Sequence, residues 1–102
     1  MLLTIKDRLM IINMLPSEGS LSDMTEIYDL VRELRIEDAE KDYINYREEN
    51  GSIKWDADKA KEKEVNLTST QKRILDITIA KLDKNNQIGL NQIETILKIK
   101  NG

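Results

Sequence analysis

Asn50-Gly51 stands between two stretches in which apolar residues alternate with polar ones: Ile44, Tyr46 before it and Ile53, Trp55 after it. A two-residue type I′ turn needs positive φ at both central positions, and Asn followed by Gly meets that need at low steric cost. The turn sets a register, with Glu49 opposite Ser52, Glu48 opposite Ile53 and Tyr46 opposite Trp55. Ile44, Tyr46, Ile53 and Trp55 then share one face, as a half-buried hairpin requires. Glu64-Val65-Asn66-Leu67 alternates again. An isolated hairpin is only marginally stable, so this segment is expected to be a third strand.

The rest of the chain has helical period. Thr4 and Asp7 resemble a capping box, and Ile5, Leu9 and Ile12 follow at helical spacing until Leu15-Pro16, which predicts helix 5–14. Ser20 can cap a second helix over 21–35, whose apolar face is Met24, Ile27, Tyr28, Val31 and Leu34. Acids fall early in it and arginines late, as the helix dipole favours. Residues 36–42 form an acidic stretch of about one helical turn. Thr68 and Gln71 make a second capping box and open helix 69–83. A final helix is expected over 91–99. The order ααβββαα reads as an α+β fold: a small three-stranded antiparallel meander flanked by about four helices, all in one domain over 1–102. The hairpin's apolar face is expected to meet the stripes of helices 21–35 and 69–83.

Composition narrows the chemistry. The 102 residues include no His and no Cys. Imidazole bases, imidazole ligands, thiolate nucleophiles and disulfides are therefore excluded. Carboxylate chemistry, lysine chemistry and oxygen-ligand cation sites remain. No apolar run approaches the ~20 residues of a membrane span. The N-terminus becomes charged too early for a signal peptide. A cytoplasmic protein with no membrane partner is the expectation.

Four sets of residues are candidates for function. Asp83 and Glu94, with Asn85, Gln87 and Asn91 between them, fall at the spacing of an EF-hand loop between two helices. The sixth position of that loop requires a sharp turn and normally Gly, yet it is Ile88, with Gly89 one place late. An ordinary Asn-rich helix connection is the simpler reading, and no metal or other cofactor is expected. Glu37, Asp38, Glu40, Asp42, Glu48 and Glu49 could pair as catalytic acids or hold Mg²⁺, but nothing in the pattern predicts the burial that would tune them. Lys59, Lys61, Lys63, Lys72 and Arg73 could form a basic patch. The net charge is −2 over 1–36, −4 over 37–64 and +3 over 65–102. A helix–helix–short helix–hairpin order suggests a winged helix, but the segment that would read DNA, Glu37 to Asp42, is acidic and phosphates would repel it. Tyr43 and Trp55 could anchor a protein partner.

The opening, Leu3-Thr4-Ile5-Lys6-Asp7-Arg8-Leu9 with Asn13-Met14-Leu15-Pro16-Ser17-Glu18-Gly19, resembles the start of a family of small uncharacterised bacteriophage and prophage proteins. The resemblance continues more loosely through Leu30-Val31-Arg32-Glu33-Leu34, Gly51-Ser52-Ile53-Lys54-Trp55, Glu64-Val65-Asn66-Leu67 and Leu82-Asp83. It implies a source (the host cytoplasm, if phage-encoded) and a size class, with no activity to carry over. The leading expectation is a non-catalytic protein-interaction or self-association module, since sheet edges need cover and a chain of this size gains stability by burying more surface, with a homo-oligomer or a protein as partner. A DNA-binding regulator of winged-helix type is the alternative, and a carboxylate-dependent enzyme using Glu37, Asp38 and Glu40 is a third.

Overall fold

The computed structural model describes residues 1–102. Its elements are β1 (Leu2–Leu3), α1 (Ile5–Met14), α2 (Leu21–Leu34), α3 (Asp38–Tyr43), β2 (Arg47–Glu49), β3 (Ser52–Lys54), β4 (Lys63–Glu64), α4 (Ser69–Lys84), a 3₁₀ turn (Leu90–Gln92) and α5 (Ile93–Asn101). The α+β class holds. Helices α1, α2 and α4 begin where their caps predict. The hydroxyls of Thr4, Ser20 and Thr68 accept from the backbone N–H groups of Asp7, Asp23 and Gln71. Both capping boxes close reciprocally: Asp7 accepts from Thr4 N–H and Gln71 from Thr68 N–H. The last helix runs two residues further than expected and is entered through the 3₁₀ turn.

The three-stranded meander does not form. The strands make two separate antiparallel pairs, β1 with β4 and β2 with β3. β4 pairs with the N-terminus, Leu2 opposite Glu64 and Leu3 opposite Lys63. Burial explains the choice. Leu3 and Val65 are both wholly buried in one core, with Ile11, Leu30, Leu34, Leu75, Ile79, Ile96 and Ile99. Pairing the two ends of that strand pair lets both side chains enter the space between α1, α2, α4 and α5. The Met1 ammonium adds bonds to Glu64 and to the Val65 carbonyl.

The hairpin keeps its register, with Glu49 opposite Ser52 and Glu48 opposite Ile53. Asn50 (φ 52°) and Gly51 (φ 79°) take the left-handed conformations a type I′ turn requires. Its packing differs from expectation. Ile44, with Tyr46 and Trp55 against it, joins Ile5 and Ile36 in a second, smaller cluster rather than the α2 and α4 stripes. Ile53 stays 45% exposed, because no helix covers the hairpin near its turn.

Candidate functional site

The residues at EF-hand spacing form a helix stop. Asp83 lies in the last turn of α4, and Asn85 N–H bonds back to the Lys81 carbonyl at 3.2 Å. Asn86 then takes φ 52°, and Gln87 N–H reaches the Leu82 carbonyl at 2.8 Å. This is the Schellman pattern, in which a left-handed residue after the helix lets the chain satisfy its last carbonyls. The tight turn falls on Asn86, so neither Ile88 nor Gly89 has to supply it. Gly89 has extended backbone, and its N–H bonds the Gln92 side chain at 2.8 Å. Asp83, Asn85, Gln87, Asn91 and Glu94 are all exposed. No group of three or more carboxylates is placed to share a metal ion.

Three of the six acidic candidates, Glu37, Glu40 and Glu49, are held in separate ion pairs. Glu40 forks onto Arg8 at 2.8 and 3.0 Å. Glu37 pairs with Arg35 at 3.0 Å. Glu49 pairs with Arg47 and Lys54, and the Arg47 hydrogen bond holds its carboxyl below the usual value. The lysines are equally dispersed. Lys63 bonds the Glu33 carbonyl, Lys72 the Ile99 carbonyl and Arg73 the Asp23 carboxylate. Only Lys59 and Lys61 of that set line a common concavity.

Two charged groups that the sequence presents as a helix cap and a surface arginine are buried. Asp7 is 4% exposed and Arg8 1%. The Asp7 carboxylate accepts from Thr4 N–H, the Thr95 hydroxyl and the Lys98 ammonium. Burial alone would raise its pKa, but the bonds from Lys98, Thr95 and Thr4 and the Lys98 charge outweigh burial and leave it lowered. Arg8 donates Nε to the Leu34 carbonyl at 2.8 Å and Nη2 to the Arg35 carbonyl at 2.9 Å, besides its fork onto Glu40. One turn of α1 thus anchors α5 through Asp7 and the α2–α3 junction through Arg8. The available signal was Asp7 and Arg8 lying within one turn of the apolar Ile5, Leu9 and Ile11. These bonds tie both groups into the fold, so their geometry supports a structural role.

Besides the exposed Leu21 and Tyr28 on α2 and Ile77 on α4, two surfaces are open. The first surrounds Trp55. A concavity of about 230 Å³ is lined by Trp55 and Ala57 and by Thr4, Ile5 and Lys6, with Ala60, Lys61 and Glu62 completing it. Trp55 and Ala57 also line a second hollow with Ile53, Lys54 and Arg47. Tyr43 stands apart, 60% exposed, lining the hollow with Lys59 and Lys61. The second surface is on the last helix. Leu90, Ile93 and Leu97 are 91, 37 and 50% exposed, while Thr95, Ile96 and Ile99 on the other side are buried. Spacings of three and four align the exposed set on one face. No family model, no curated protein and no solved structure matches this chain.

Proposed function

We propose that this protein is a non-catalytic phage- or prophage-type accessory module that works by self-association through α5. The observation that carries this reading is the second apolar face of α5. A surface helix normally has one apolar stripe, and this helix has one in the core and another facing solvent. The apolar circumference of α1, by contrast, is absorbed inside the fold, with Ile5, Ile11 and Met14 buried and Leu9, Met10 and Ile12 half-buried. Paired with its equivalent on a second copy about a two-fold axis, this one patch serves both copies.

The non-catalytic part rests on commitment of the charged side chains: Glu40 is held by Arg8 and Asp7 by Lys98 and Thr95. The winged-helix alternative keeps its element order, but α3 carries Asp38, Glu40 and Asp42, and Glu40 is tied down. A low-salt gel shift with duplex DNA tests it, and no shift is expected.

Light scattering from micromolar to millimolar protein tests self-association. The mass is expected to rise toward twice that of the chain. Leu97→Glu is expected to hold the protein monomeric with an unchanged melting temperature, since Leu97 is half exposed. A strict monomer at millimolar concentration overturns the reading.

A further inference from the structure

The hairpin offers a free edge beside a groove whose charged lining is positive in excess. In a two-residue hairpin the pair closing the turn is hydrogen-bonded, and bonded pairs alternate along the ladder. Here that pair is Glu49 with Ser52, and the next bonded pair is Arg47 with Lys54. Glu48 and Ile53 form the intervening pair, so their N–H and C=O groups point outward. The sheet has no third strand, and all of β3 is exposed. An outward N–H and C=O on an uncovered strand is a template for another strand.

The two edges of the hairpin differ in charge. The β2 edge carries Glu48 and Glu49. The β3 edge carries Lys54 and continues into two hollows floored by Trp55 and Ala57; Lys6 and Lys61, with Glu62, line the one beside α1. Neither of those two lysines takes part in an ion pair. Glu62 lines the same hollow, so two ammonium groups face one carboxylate there, and the lining keeps a positive excess in a chain whose net charge is −3. Cations around an apolar floor favour an acidic ligand with apolar side chains at every second position.

From this we infer that β3 is a docking edge for an extended, acidic peptide segment of a partner protein. The segment pairs its backbone with Ile53, lays one apolar side chain against Trp55 and Ala57, and sets its carboxylates near Lys6 and Lys61. The surface is distinct from the α5 stripe and does not depend on self-association.

Trp55 is the only tryptophan, so its fluorescence reports on the groove. The probes are four capped heptapeptides in which Glu alternates with Val, Ile, Leu or Phe, titrated into the Leu97→Glu variant so that self-association does not interfere. Saturable change in Trp55 emission is expected with at least one of them, and none with the matching lysine peptides. Lys6→Glu with Lys61→Glu, both at exposed positions, should weaken binding about tenfold, since each surface ion pair contributes little alone. Ile53→Pro removes the outward N–H while leaving the ladder donors in place, and should abolish binding with the Glu49–Ser52 cross-strand contact still visible by NMR. No saturation by any acidic peptide overturns the proposal. So does equal binding of the lysine peptides, or unchanged binding after Ile53→Pro. A Trp55 change with protein concentration alone, in the Leu97→Glu variant, would mean that a second copy takes the edge, and overturns it as well.

Discussion

Asp7 and Arg8 are neighbours in sequence, yet each holds a different part of the molecule. Asp7 is a helix cap and a buried counter-ion at once. Replacing it by Asn leaves Lys98 without its charge partner, and should cost about 2 kcal/mol at neutral pH. The pH dependence follows from the lowered pKa of its carboxyl. The folded protein binds this proton less readily than the unfolded chain. The contribution is therefore complete above the unfolded value, near 4, and is lost as pH falls through the folded one. Urea denaturation at about pH 6 and about pH 3 should show the gap between wild type and Asp7→Asn closing in acid. Arg8 uses the planar fork of its guanidinium on one carboxylate and two carbonyls. Lysine keeps the charge but cannot make that fork. Arg8→Lys should lower unfolding free energy by about 2–3 kcal/mol in urea titrations, through unsatisfied groups at the α2–α3 junction.

Among the elements, helix starts are legible in the sequence and helix ends are less so. Thr4, Ser20 and Thr68 mark starts because a hydroxyl three residues ahead of a donor satisfies it locally. The ends of α3 and α4 depend on asparagines in left-handed conformations. Asn45 (φ 54°) lets Tyr46 N–H reach the Lys41 carbonyl, as Asn86 lets Gln87 reach Leu82. Asn is less diagnostic there than Gly, which is why Asn85 and its neighbours could pass for cation ligands. Asn86→Ala should destabilise by about 1 kcal/mol, because Ala pays the left-handed penalty without a polar side chain to offset it. Asn86→Gly should leave stability equal or higher. Thermal melts of the two variants should therefore move in opposite directions or differ by several degrees.

For the molecule as a whole, the decisive feature is the closure of N-terminal β1 on β4. Leu3 is fully buried and Leu2 is 53% exposed. Leu3→Ala should cost about 3 kcal/mol, whereas Leu2→Ala should fall within about 0.5 kcal/mol of wild type. Equal effects of the two in chemical denaturation would show that the strand pair does not anchor the core. No helix is long and apolar enough to cross a membrane. The two open surfaces, one on α5 and one around Trp55, share no residue, which allows them to be mutated separately.

Local pattern determined the helices α1, α2 and α4, the hairpin and its register, because caps, periodicity and an Asn-Gly turn act within a few residues of themselves. Tertiary structure decided the rest. Val65 needed a core to enter, and the only free strand leading there was Leu2–Leu3, more than sixty residues away along the chain. The same applies to the candidate sites. Composition excluded imidazole and thiol chemistry, but spacing could not show that Glu40 belongs to Arg8, that Asp7 belongs to Lys98, or that the last helix turns a second apolar face to solvent. Those facts depend on which distant groups share a buried space, and a linear pattern carries no information on that.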